Sequence, residues 1–207
     1  MSPRPVLFLG DSITDAGRRD DPEGLGSGWV RLVHDVLRER GDERPILNRG
    51  ISGDRAVDLA RRWQSDAIDL DPELLTVYVG VNDTWRRFDS GLETSAGEFE
   101  SVYAGLLRDS LAHGHPALVL VEPFLVPVTP EQEGWMPDLD GKRAAVDRLA
   151  GEFDAVFVPL QTVLGLAARV HGPEAIAADG VHPTPLGAEL IAEAWLAAVG
   201  VGPRAAD

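Results

Sequence analysis

The sequence contains no cysteine. Disulfides, thiolate nucleophiles and thiolate metal ligands are therefore excluded. Positive charge is also scarce. Only 19 basic residues stand against 34 acidic ones, for a net charge of -15, and Lys142 is the one lysine. The dominance of arginine fits genomic base composition. So acidic a surface repels phosphate backbones and anionic lipid heads, which argues against nucleic acid or membrane as partner. A neutral substrate such as a sugar ester agrees with the charge, without being selected by it. Long apolar runs are missing as well. After Met1-Ser2-Pro3-Arg4-Pro5, the run Val6 to Leu9 is too short for a signal-peptide core, and no later run could span a bilayer. The expected location is cytoplasmic. Internal repeats and low-complexity linkers are absent too.

What remains reads as a globular chain. Its 207 residues, 44% hydrophobic and 26% charged, suit a single domain over 1–207 that can bury roughly 70% of the surface of its unfolded form. Short apolar runs at Val6 to Leu9, Ile46 to Asn48, Leu74 to Val79, Ala117 to Val121 and Ala155 to Pro159 are bounded by Gly, Pro, Asp or Asn. Buried parallel strands look like this. Helical periodicity fills the spaces between, as in Trp29, Val33, Val36 and Leu37, or Ala56, Leu59, Ala60, Trp63 and Ala67. Phe99 to Ser110 and Val146 to Phe153 carry further stripes. In the last helix, Thr184 reads as N-cap and Pro185 as first residue. This order predicts a three-layer α/β/α sandwich with a five-stranded parallel sheet in the flavodoxin-like order 2-1-3-4-5. Ligands of such folds bind at the carboxyl ends of the strands.

The loops expected there carry the chemistry. Gly10-Asp11-Ser12-Ile13-Thr14-Asp15 follows the first strand. A serine in that turn can expose its hydroxyl to a nearby base, or can simply cap a helix. Asn48-Arg49-Gly50-Ile51-Ser52-Gly53-Asp54 has glycines that let backbone N–H groups approach a ligand. Gly80-Val81-Asn82-Asp83-Thr84-Trp85 reads as a third loop, whose Asn82 amide can serve an oxyanion or a turn. Asp179-Gly180-Val181-His182-Pro183 spaces a carboxylate three residues from an imidazole, which can fix its tautomer. The other histidines, His34, His113, His115 and His171, lack this context. Trp63 and Trp195 have core spacing. The Pro-rich segment Glu122 to Gly141, with Trp135, reads as a long loop that covers the site or meets another subunit.

Together these blocks resemble the SGNH, or GDSL, hydrolases. The four letters fall on Ser12, Gly53, Asn82 and His182, and the resemblance runs from Val6 to about Ala198. It implies Ser12 as nucleophile, His182 as base and Asp179 as its orienting partner. It also implies an oxyanion hole of the Ser12 N–H, the Gly53 N–H and the Asn82 side chain, with no cofactor and no metal. Asp11 and Asp83 are expected to hold their loops. Trp85 and Asp11 stand beside the site as substrate contacts, Trp85 as acyl wall, as a surface for a sugar, or as core.

The finer wording of the blocks, with Glu122-Pro123-Phe124, is similar to the bacterial intracellular acetylxylan esterase branch. That similarity implies deacetylation of carbohydrates such as acetylated xylo-oligosaccharides, and a homo-oligomer. Asp54, where that branch often has Asn, and Ala178, where some members have an aromatic, depart from it. A lysophospholipase, thioesterase or arylesterase would use the same catalytic residues. A sugar-binding protein without activity, and a metal enzyme built on Asp11, Asp83, Asp179 and His182, are the other readings.

Overall fold

The computed structural model describes residues 3–201; Met1 and Ser2 of the N-terminal reading lie outside them. Strand β1 is Val6–Gly10, and the one-turn helix α1 follows at Ser12–Asp15. Helix α2 is Trp29–Glu39, β2 Ile46–Gly50 and α3 Ala56–Asp66. A short 3-10 turn precedes β3, Leu74–Tyr78, which leads into α4, Val81–Ser90. Helix α5 is Ala96–His113, β4 Ala117–Val121, α6 Pro130–Glu133 and α7 Met136–Glu152. Strand β5, Val156–Val158, is followed by α8, Leu160–His171, α9, Pro173–Ile176, and α10, Pro185–Ala198.

All five strands are parallel, in the order β2-β1-β3-β4-β5 expected from the sequence. Alternate residues feed two cores. Val6, Phe8, Tyr78, Val119 and Val121 pack with Trp29, Leu164, Ile191 and Trp195 of α2, α8 and α10. Leu7, Leu9, Leu75, Val77 and Leu120 pack with Leu59, Phe99, Tyr103 and Leu149 of α3, α5 and α7. Each fully buried aliphatic side chain contributes roughly 1.5–3 kcal/mol. Two of the buried indoles have their N–H groups bonded, whereas those of Trp29 and Trp135 find no hydrogen-bond partner. Trp195 donates to Thr76 Oγ1 at 3.1 Å, and Trp63 to Ser110 Oγ at 3.2 Å.

Two expectations need correction. Val81–Ser90 is a helix, so Asn82 and Trp85 stand on α4 rather than in a loop. The segment after Glu122 is not one long loop either. Pro130 and Pro137 each stand in the first turn of a helix, α6 and α7. Proline is at home there, because that N–H has no intrahelical acceptor.

The chain turns back across the sheet between β1 and β3, the switch point where ligand crevices form. The turn after β1 depends on Gly10, where a Cβ would lie 2.4 Å from both Thr14 Oγ1 and the Tyr78 carbonyl.

Candidate active site

Ser12 is the first residue of α1. Asp11, the N-cap, accepts the Ile13 N–H at 3.0 Å. This cap fixes the turn and lifts the partly exposed Ser12 above the sheet edge. The Ser12 N–H, in the first turn, has no intrahelical acceptor.

His182 comes from the turn between α9 and α10. Its Nε2 is 2.9 Å from Ser12 Oγ, and its Nδ1 is 2.6 Å from Asp179 Oδ2. A carboxylate can only accept, so Nδ1 carries the hydrogen and Nε2 is left to accept from the serine. Asp179 Oδ1 also takes the backbone N–H of His182 at 2.7 Å and of Val181 at 3.0 Å. Burial pushes the Asp179 carboxyl up. The His182 ring and the two backbone donors outweigh it and hold the carboxyl below the usual range.

The turn itself is clamped. A bridge pairs Ala177 with Pro183, and Thr184 caps α10 by accepting the Gly187 N–H. Buried Gln132 of α6 donates to the Asp179 carbonyl at 2.7 Å, and the Val126 N–H reaches the Gly180 carbonyl at 3.0 Å. The segment after β4 thus buttresses the Asp179–His182 turn. Nothing in the local pattern of Gln132 announced this, because the contact closes a loop of 47 residues.

The Asn82 amide lies between the first two loops. Its Nδ2 is 3.3 Å from Asp11 Oδ2 and 3.2 Å from the Asp54 carbonyl, next to Ser12 and Gly53 in sequence. Both bonds are long for N–H···O contacts. Gly53 has a φ of 87°, and its N–H donates to no protein group among the described residues. Trp85 follows Asn82 by three residues, on the same face of α4. It is half-buried, with its ring 6.0 Å from that of His182 and 5.6 Å from that of Trp135. Trp135 in turn stacks on Phe88 at 5.5 Å.

Asp11 cannot be a direct substrate contact. It is fully buried beneath the turn, with Ile13 and Asn82 as its partners. Burial raises its carboxyl to about 7, helped by Asp83 and Asp54 and opposed by the Ile13 N–H and by His182. Asp83 is also buried and tethers the start of α3, accepting the Ala56 N–H at 3.1 Å. Its burial raises it to about 7 as well. The departure at Asp54 has a local cause: its side chain pairs with Arg62 at 2.8 Å. Ala178 is exposed.

A second feature escaped the sequence reading. Lys142 is fully buried, and its Nζ is 2.5 Å from Asp138 Oδ2. Asp138 also accepts from Thr84 Oγ1 and Arg87 Nη1, both at 2.8 Å. Burial pushes Asp138 up, and these three donors hold it below its usual range. The cluster ties α4 to α7 behind Asn82 and Trp85. A lone lysine in an arginine-rich chain was the only available signal.

Among the described residues no three His, Asp or Glu side chains meet in a way that could hold a metal ion, and no helix is long and apolar enough to cross a membrane. What the site offers is an activated serine beside N–H donors, the equipment of acyl transfer.

Known proteins share this arrangement. The model of the GDSL-like lipase/acylhydrolase family matches residues 8–190. An acetylxylan esterase from Geobacillus stearothermophilus is 33% identical over 205 residues, covering 94% of this chain and 93% of that protein. Its crystal structure superposes with a TM-score of 0.88 at 30% identity, covering 96% of this chain and 95% of that one. Variants of it described as catalytic mutants are substituted at a serine, an aspartate and a histidine, the last two spaced as Asp179 and His182 are. A GDSL-like lipase structure from Parabacteroides merdae reaches a TM-score of 0.91 at 32% identity, covering 97% and 98%. Fold, site and matches agree: the chain belongs to the GDSL-like lipase/acylhydrolase family and is a carboxylic ester hydrolase.

Proposed function

We propose that the protein is a serine esterase that removes small acyl groups, acetyl foremost, from carbohydrates such as acetylated xylo-oligosaccharides. The observation that carries the mechanism is the bond sequence from Ser12 Oγ through His182 to Asp179. Ser12 attacks the ester carbonyl while His182 Nε2 takes its proton. His182 then gives that proton to the leaving alcohol, and water cleaves the acyl-enzyme by the same path in reverse. The oxyanion takes the N–H groups of Ser12 and Gly53 and one Asn82 hydrogen, which gives up one of its two long bonds.

Two observations support the substrate. Trp85 shares a face of α4 with Asn82 and holds its ring 6.0 Å from that of His182, where an indole can bound a short acyl group. A relative that covers nearly the whole chain is an acetylxylan esterase. An arylesterase from Vibrio mimicus matches only 52% of this chain. With a net charge of -15, neither nucleic acid nor an anionic membrane is part of this reading. A cytoplasmic location and a homo-oligomeric state belong to the proposal, to be checked by cell fractionation and sedimentation.

The test is acetate release from a panel of acetylated xylo-oligosaccharides, with Ser12→Ala as control. Release by the unaltered enzyme and none by the variant is expected. Faster turnover of an aryl octanoate than of the aryl acetate would overturn the short-acyl reading.

A further inference from the structure

A hollow of about 420 Å³ opens beside Ser12 and His182, between the start of α2 and the first turns of α10. Ser27, Leu32, Ala188 and Glu189 are among its walls, whereas Gly53, Asn82 and Trp85 do not border it. Its volume lies in the range of small-molecule sites, roughly 300–1,000 Å³. A second hollow of about 630 Å³ shares Ala16 and Ser27 with the first and continues to Asp20, Asp21 and Arg31.

The stereochemistry of acyl transfer says what belongs there. The tetrahedral carbon carries Ser12 Oγ, the oxyanion, the acyl group and the leaving oxygen. The oxyanion faces the Gly53 and Asn82 donors. The leaving oxygen must face His182 Nε2, because that nitrogen returns the proton to it. Trp85 shares the α4 face of Asn82 and borders neither hollow, so the acyl group is assigned to that side. The hollow, which of the catalytic groups borders only Ser12 and His182, is therefore on the side of the leaving alcohol.

Its chemistry agrees. The side chain of Glu189 has no hydrogen-bond or ion-pair partner among the described residues, and neither has that of Asp20. Ser27 Oγ donates to the Ala16 carbonyl at 3.3 Å and keeps its acceptor capacity. Unpaired carboxylates along a groove suit a ligand rich in hydroxyl donors. They oppose a bare acyl chain, which would strip their water, and a phosphate-bearing alcohol, which they would repel.

We infer that this pair of hollows holds the alcohol half of the ester as a neutral polyhydroxylated chain, with Glu189 and Ser27 as its specificity-determining contacts. The inference rests on the carbohydrate reading above and adds which face recognises the sugar.

Ser27 is exposed, so Ser27→Trp can fill the junction of the hollows without disturbing the core. Kinetics are measured on acetylated xylotriose, on ethyl acetate, and on aryl acetate against aryl butyrate. The variant is expected to raise KM for the sugar ester at least about tenfold. Its kcat/KM on ethyl acetate and its acetate-to-butyrate ratio should stay within about twofold of the unaltered enzyme. Glu189→Lys should raise turnover of acetylated glycerol phosphate relative to acetylated glycerol.

An unchanged KM for the sugar ester, or a shift in the acyl-chain ratio, would assign the hollow to the acyl side and overturn the inference. An unaltered enzyme that releases no acetate from any sugar would instead overturn the carbohydrate reading, and the proposed occupant with it.

Discussion

On the α4 side of Ser12 each polar or aromatic group leans on another: Asn82 on Asp11 and Asp54, Trp85 on Trp135, Thr84 on Asp138, and Asp138 on Lys142. On the α2–α10 side, Glu189 and Asp20 face an open hollow without partners among the described residues. The difference separates two tasks. Groups that stabilise developing charge must be held before the substrate arrives, since reorienting them in the transition state would cost catalysis. Groups that recognise a hydroxylated alcohol gain by remaining hydrated and adaptable until it binds. On the reading proposed above, rigidity concentrates where the chemistry is, and openness where the alcohol would be recognised.

The most direct way to break the contrast is to loosen the α4 wall from behind. Lys142→Met removes the ammonium from Asp138, which then keeps only Thr84 and Arg87. Removing one partner of a buried pair costs roughly 3–5 kcal/mol. Urea unfolding should show a loss of this size. A loss under about 1 kcal/mol would mean that the wall does not depend on the pair. Asn82→Ala leaves the wall standing and removes its donor. The expected drop in kcat is about 10²–10³ on every ester, whatever its alcohol. A drop confined to sugar esters would move Asn82 into the recognition half.

The same contrast explains what the sequence made legible. Strand order and both cores follow from local apolar runs, and Thr184-Pro185 marks the start of α10. Ser12, Asn82 and the Asp179–His182 pair each carried a local pattern. The support behind them did not. Gly80, Asn82 and Asp83 are turn-forming residues, so the first turn of α4 looked like a loop. Contacts such as Thr84 to Asp138, 54 residues apart, hold it helical. Pro130 and Pro137 looked like loop punctuation and are helix starters. Gln132 and Lys142 act only through distant partners, and periodicity has no access to those.

Trp85→Ala sharpens the comparison on the acyl side. Deleting the indole next to Asn82 opens space beside the acyl carbon. The octanoate-to-acetate ratio of kcat/KM on aryl esters should rise about tenfold, the scale on which one apolar contact discriminates chain length. KM for acetylated xylotriose should barely move, because the proposed alcohol site is the hollow between α2 and α10, which Trp85 does not border. A loss of sugar affinity with an unchanged chain-length ratio would assign the indole to the sugar instead.

The two sides also separate by pH. Asp83, on the α4 wall, is raised from 3.8 to about 7 by burial, and its Oδ1 is buried without a hydrogen-bond partner. The folded chain therefore holds this proton more tightly than the unfolded chain does. The resulting stabilisation is fully present below about 3.8 and is lost as pH rises through about 7. Asp179, on the His182 turn, is shifted the other way. Its contribution is present above the ordinary carboxylate value and is lost as pH falls. Asp83→Asn keeps an acceptor for the Ala56 N–H and cannot ionise. Its Tm relative to the unaltered protein should climb from pH 4 to about pH 7 and level off above it. A constant difference over that range would mean that Asp83 stays ionised in the fold. The α4 wall would then have to contain a counter-charge close enough to Asp83 to offset its burial, and Lys142, bonded to Asp138, would be the first group to test by repeating the series in the Lys142→Met background.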